Sequence, residues 1–206
     1  MKRSGLTEKR ILHAALALFV RNGYHGTSVN DITKEVGLTK GALYAHFQNK
    51  GELLLKIIDE FRVEYIEKMI KKVESHPGNA IDKLNCAISF SSRFALQNPD
   101  LCLFLTFLTT ELNTDVDFEP ALKSVYRDYQ KFISELIRDG IRQGLINPGL
   151  DTELAALTFM AIHDGVLHQW ALNRDRIDGG KYVKTFRFIF VKGLMAQGQE
   201  EGGAAS

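Results

Sequence analysis

Apolar residues return at helical spacing in segment after segment of this chain, and only four prolines interrupt its 206 residues. Nothing else in the sequence constrains the fold as tightly. A run of i, i+3, i+4 and i+7 positions buries one face of a helix, and a proline inside such a run would break it. Between Thr7 and Asn22 the stripe is Ile11, Leu12, Ala15, Leu18 and Phe19, and Gly23 stops it. Ser28 is placed to cap a short helix from Val29 to Val36, with Asp31 three residues on as capping-box partner. Gly37 ends that helix, and Thr39 caps the next, Lys40 to about Phe47. A long helix follows to about Val73, with Leu54, Ile57, Ile58, Phe61, Tyr65 and Met69 as its buried stripe.

Beyond the break at "ESHPGN" the pattern stays helical. Ile81 to Gln97 and Pro99 to Leu112 read as helices, with Pro99 at a start, where proline is tolerated. Pro120 to Leu145 reads as a long helix, Asp151 or Thr152 caps another reaching about Asn173, and Tyr182 to Met195 is last. "TFRFIFV" alternates like a strand, but a lone strand in a helical chain would have no partner, so a helix is expected there. The expectation is an all-α protein of about nine helices. A three-helix unit over residues 1–50 precedes a larger body over 51–197, and 198–206 is too poor in apolar residues to pack.

Charge is distributed unevenly. Residues 1–50 hold eight cations against three anions, a net +5, whereas the whole chain carries +1. A basic end on an acidic body suits a polyanion; a solvated surface face is the plainer alternative. No stretch of about 18 apolar residues exists, and the charged Met1–Gly5 is unlike a secretory signal, so a cytoplasmic protein with no membrane contact is expected. Cys86 and Cys102 make neither a metal site nor a disulfide framework, and are expected to be buried and inert. The chain has no Gly-rich phosphate loop, metal-ligand spacing or nucleophile–base arrangement. His163–Asp164 with His168 is the only group suggestive of an enzyme, and two histidines five apart share a face poorly. No cofactor is called for.

Two short helices joined at Gly37 form a helix-turn-helix arrangement. Leu43 and Phe47, spaced i, i+4, face the bundle, leaving Lys40, Tyr44 and His46 largely towards solvent. Gly41 and Ala42 keep the leading edge narrow enough for a major groove about 12 Å wide. Lys40 can donate to base edges, most plausibly guanine. Tyr44 can reach a phosphate or a thymine methyl. The hydroxyl and helix-start N–H groups at Thr39 suit a phosphate, and Lys50 at the start of the long helix adds positive charge against a backbone. A merely structural bundle or a protein-binding module is the competing reading.

"TKGALYAHFQNKGELL", preceded by "GYHGTSVNDITKEVGL", resembles the DNA-binding domain of the TetR (tetracycline-repressor-like) family of bacterial transcription regulators. The resemblance runs from residue 7 to about 58, with Gly23, Thr27, Ile32, Gly37, Leu43, Tyr44, Phe47 and Lys50 at motif positions. It implies phosphate contacts from Ser28, Thr39, Tyr44 and Lys50, base contacts from Lys40, Gly41 and His46, and a backbone contact from Asn30. It also implies a double-stranded operator as partner and a homodimer paired through the last two helices.

The body is rich in aromatics. An apolar effector pocket is expected among Phe90, Phe94, Phe104, Phe107, Tyr129 and Phe159, with Glu111 and His163 as polar groups that would orient a ligand. Each of these aromatics is also a candidate for plain core packing. "TELAALTFMAIHDGVLHQWALN" is apolar almost all round, as in a helix buried on two sides. Ala161, Gly165 and Trp170, with Phe186, Ile189 and Phe190 of the last helix, are the expected dimer interface. The segment "FMAIHDGVLHQWALNRD" resembles the family's fatty-acid-responsive members; a fatty acyl or an aromatic effector is compatible with it. A repressor that binds a palindromic operator and is released by a small, largely apolar effector is the expected role, with an activator as the alternative the sequence leaves open.

Overall fold

The computed structural model describes residues 2–108 and 117–196. In order, the elements are α1 (Lys2–Asn22), α2 (Val29–Val36), α3 (Lys40–Tyr44), α4 (Lys50–Phe61), a π-helical segment (Arg62–Glu67), α5 (Lys68–Glu74), α6 (Ala80–Gln97), α7 (Pro99–Leu108), α8 (Glu119–Arg142), α9 (Thr152–Leu172) and α10 (Gly179–Leu194). With α4, the π segment and α5 taken as one continuous helix, nine helices lie among the described residues, as expected. "TFRFIFV" falls inside α10: Phe186, Phe190 and Leu194 are buried at i, i+4, i+8 while Phe188 is exposed. An isolated antiparallel bridge joins Ile146 to Met195. The expected tail lies outside the described residues.

The chain divides into two compact units, one of Met1–Glu64 with Asn98–Ser124, the other of Tyr65–Gln97 with Val125–Ser206. This division departs from the expected boundary at residue 50. Leu53, Leu54, Ile57 and Ile58 of α4 are buried, and α4 packs on α1. Cutting before α4 would strip the first unit of that apolar face. In this unit the α1 stripe Ile11, Leu12, Ala15, Leu18 and Phe19 is buried. Phe19 stacks on Phe104 of α7 with ring centres 5.8 Å apart.

The expected long helix contains the π segment, which periodicity did not reveal. Tyr65 and Ile66, adjacent in sequence, are both buried there. The second unit is built from α5, α6, α9, α10 and the greater part of α8. Its core joins Tyr65, Ser91, Tyr129 and Phe159, and backbone bonds from Asn147 N to Leu194 O and from Ala196 N to Leu145 O fasten the end of α10.

Candidate functional site

α3 is five residues long, shorter than expected, because the chain turns after Tyr44 with His46 N and Phe47 N both donating to Leu43 O. Leu43 is fully buried and Phe47 nearly so, and together they hold α3 in place. Gly37 lies at φ 69°, the left-handed conformation that closes α2 and that a Cβ would strain. Thr39 Oγ1 accepts from Ala42 N, which leaves its hydroxyl proton pointing to no partner within the fold among the described residues. Thr39, Lys40, Gly41 and Tyr44 are all exposed. A Cβ on Gly41 would meet nothing closer than Thr39 Oγ1 at 4.0 Å. The fold itself therefore has no need of glycine there. Asn30 is exposed on α2, and His46 is half-buried with its ring 6.4 Å from that of Phe47.

Two expected phosphate contacts are differently occupied. The Ser28 hydroxyl donates to Asp31 Oδ2 at 2.6 Å and accepts from Asp31 N, so its proton is spent on the capping box. The Ser28 hydroxyl and the Ser28 backbone N–H, both donating to Asp31 Oδ2, hold that carboxyl below its usual value. Lys50 turns inward. Its ammonium donates to Tyr24 O at 2.8 Å and Thr27 O at 3.0 Å and lies 4.1 Å over the Tyr24 ring. It clamps the α1–α2 turn, a role that motif spacing did not reveal. Thr27 does the same from the other side, its buried hydroxyl within bonding distance of Leu18 O and Gly23 O. Arg10 Nη2 donates to Val36 O and ties α1 to the end of α2.

The expected effector residues separate. Phe104 belongs to the first unit, where it stacks on Phe19. Glu111 lies outside the described residues, as does the side chain of Phe107. Phe94 stacks on Tyr65 at 4.8 Å, Phe90 lies at 6.2 Å from the same ring, and Tyr129 meets it edge-on. Phe159 contacts Tyr129 and His163. Tyr65, Tyr129 and Phe159 are buried core, whereas Phe90 and Phe94 are half-buried against them. At their centre Tyr65 Oη lies 2.7 Å from Ser91 Oγ and 3.1 Å from Tyr129 Oη. Burial pushes the Tyr129 hydroxyl up to about 12, so it stays a donor.

A separate groove, open to solvent, lies between α6, α9 and α10, with a cavity volume of about 30 Å³ and His163, Val166, Trp170 and Val183 among its walls. Among the described residues, His163 is the one expected pocket residue that also lines this groove. Burial lowers its pKa to about 4 and raises that of the neighbouring Asp164 to about 6.

The expected interface residues also separate. Phe186 and Phe190 are buried within the protomer against Phe159, 6.0 and 5.1 Å away, and so have no surface to offer a partner. Trp170 is half-buried at the groove. Ala161, Gly165 and Ile189 are exposed, and with them Leu154, Leu157, Leu172 and Phe188, which sequence reasoning did not single out. Extending the Ala161–Gly165 row by threes and fours along α9 would have found the leucines. Cys86 and Cys102 form no disulfide and are half-buried, more accessible than expected. Among the described residues no cluster of His, Cys, Asp or Glu fits a metal ion, and no helix is long and apolar enough to cross a membrane.

Residues 11–57 match the family model of bacterial regulatory proteins, tetR family, and residues 99–189 match that of the C-terminal part of BetI-type transcriptional repressors. The fatty acid metabolism regulator protein of Bacillus subtilis (strain 168) is 25% identical over 194 residues, covering 94% of this chain and 98% of that one. The HTH-type transcriptional regulator TtgR of Pseudomonas putida is 29% identical over 183 residues, 84% of this chain and 83% of its own. Among solved structures, the MbdR regulator from Azoarcus sp. CIB superposes with a TM-score of 0.82 at 27% identity, covering 91% of this chain and 98% of its own.

Proposed function

The chain belongs to the TetR family of bacterial regulatory proteins, and on that premise we propose that it is a repressor whose homodimer holds a palindromic operator until a small, largely apolar effector enters the body. Like its relatives it is a DNA-binding transcriptional regulator that responds to a ligand. The observation that carries the DNA reading is the exposed set Thr39, Lys40, Gly41 and Tyr44, presented by α3 and its cap, which Leu43 of the helix and Phe47 of the following turn lock in the core. Lys40 reads a base edge, Gly41 admits the helix deep into the groove, and Thr39 and Tyr44 fix the register on phosphates.

Two-fold pairing through the outward apolar faces of α9 and α10 presents two recognition helices, one to each half-site. A released repressor is one whose effector favours a body conformation with the wrong spacing of those helices. Moving the occupied fraction from 99:1 to 1:99 needs about 5.5 kcal/mol of differential affinity. The name of the Bacillus subtilis relative supports a fatty acyl effector, and the regulator acts where the chromosome is, in the cytoplasm. The test is titration of the protein with duplex DNA from the region upstream of its own gene, at several salt concentrations. Lys40→Ala is expected to weaken cognate binding by about 1–3 kcal/mol and to leave binding to random duplex far less affected. Equal losses on both duplexes would remove Lys40 as a base reader.

A further inference from the structure

We propose that Arg10 is a specificity-determining positioning residue for DNA recognition. Its guanidinium fixes the end of α2 and, through the turn at residues 37–39, the angle at which Lys40 enters the groove. This rests on the reading of α3 as the helix that meets base edges, and adds to it a residue of α1 that touches no base.

Three observations converge on Arg10. The first is how little holds α3. The helix has five residues, and Leu43 is its one buried side chain. Phe47 anchors the turn that follows. Both anchors lie towards the C-terminal end, whereas Thr39 and Lys40 stand exposed at the other. At a rise of about 1.5 Å per residue, Leu43 is about 4.5 Å along the axis from Lys40. A tilt of roughly 6° about that anchor shifts Lys40 by about 0.5 Å, which is the tolerance of a binding constellation.

The second is the turn. Gly37 N donates to Lys34 O and Leu38 N to Thr33 O, which closes α2. Val36 O has no backbone partner among the described residues, as is usual for the last carbonyls of a helix. Only three residues separate Val36 from Lys40, so the place of Val36 sets where α3 begins.

The third is what takes that carbonyl. Arg10 Nη2 donates to Val36 O at 3.0 Å. Among the described residues this is the one side-chain hydrogen bond that reaches residues 33–44 from outside the helix-turn-helix. Its base is firm, because the neighbouring Ile11 and Leu12 of α1 are buried. A cation at the C-terminal end of α2 also meets the negative end of the helix dipole, and a charge-assisted bond is stronger than a neutral one. Arg10 is exposed and its other nitrogens make no hydrogen bond among the described residues, so a direct phosphate contact is the competing role.

The full chain selects its preferred duplex from a random-sequence pool. Affinity is then measured for that duplex and for random duplex at several salt concentrations. Arg10→Met keeps the helix propensity of the site and removes the donor. It should weaken the selected duplex about tenfold and random duplex less than about twofold, with the salt slope unaltered. Arg10→Lys, whose ammonium can donate to the same carbonyl, should come within about threefold of the parent. In a Lys40→Ala background, Arg10→Met should cost about twofold or less, because the two residues act through one contact. A thermal midpoint well above the assay temperature keeps folding out of the comparison. Undiminished discrimination in Arg10→Met, no recovery in Arg10→Lys, or full additivity with Lys40→Ala would each overturn the proposal. So would equal losses on both duplexes with a salt slope smaller by about one, the signature of a phosphate contact. A parent chain that selects no sequence overturns the recognition reading itself, and the proposal with it. A discriminating parent with an indifferent Arg10→Met overturns the proposal alone.

Discussion

Gly41 and Lys50 are the two residues at which the demands of the fold and those of DNA come apart. Gly41 is open on all sides and lies in a helix, where alanine is favoured by about 0.5–1 kcal/mol. Gly41→Ala should therefore leave the thermal midpoint unchanged or raise it, while weakening operator binding by about 1 kcal/mol or more through lost groove approach. An unaltered operator affinity in a gel-shift titration would show that nothing comes close to this glycine. Lys50 predicts the opposite pattern. It donates to two backbone carbonyls of the α1–α2 turn and covers the ring of a fully buried tyrosine. Lys50→Met should cost about 1.5–3 kcal/mol of stability in a denaturant titration. A loss of DNA affinity with no loss of stability would instead make it a surface contact. The motif spacing located Lys50, but spacing cannot tell an inward cation from an outward one.

α9 and α10 each divide their apolar residues between two faces. On α10, Phe186, Phe190 and Leu194 point inward while Phe188 and Ile189 are 61% and 65% exposed. On α9, Leu154, Leu157 and Leu172 stand out beside Ala161 and Gly165. Exposed apolar side chains on neighbouring helices are the mark of a surface that meets a partner. The Ile189→Glu and Phe188→Glu variants should sediment as monomers and keep the helical circular dichroism of the parent. Dimers that persist in both would place the interface elsewhere. The π segment is the other lesson at this scale. Hydrophobic periodicity located the buried stripe through Tyr65 and Met69, but the stripe alone does not register a widened turn, since Tyr65 and Ile66 are adjacent residues that either helical geometry could present.

His163 and Asp164 make a whole-molecule prediction, because their effects on stability have opposite signs in nearly the same pH window. Burial lowers the His163 pKa from 6.5 to about 4, so between those values the unfolded chain binds the extra proton and stability is lost as pH falls. Burial raises the Asp164 pKa from 3.8 to about 6, so between those values the folded chain binds the extra proton and stability is gained as pH falls. A tenfold difference in proton affinity is worth about 1.4 kcal/mol, so the His163 effect amounts to about 3 kcal/mol and that of Asp164 is of the same order. In the parent protein this pair should contribute an almost flat profile from about pH 6 to 4. Asp164→Asn should expose the histidine slope, with stability falling through that range. His163→Leu should expose the aspartate slope, with stability rising. Parallel denaturation curves of all three at several pH values decide it, and identical slopes would show that neither group is desolvated in solution.

The sequence alone determined the all-helical class, the helix-turn-helix and the residues that face away from it. Those depend on local matters: a 3.6-residue period, capping residues and the backbone freedom of Gly37. Leu43 and Phe47 could be assigned inward from spacing alone. Tertiary structure decided everything that depends on which of several apolar or polar faces meets a neighbour. It turned Lys50 onto a turn twenty-six residues away, sent Phe104 to a different unit from Phe94, buried Phe186 and Phe190 beneath Phe159, and left Phe188 outside. An aromatic carries the same hydrophobic gain whichever helix covers it. Its place is fixed only when distant segments compete for the same contact, and a linear pattern holds no record of that competition.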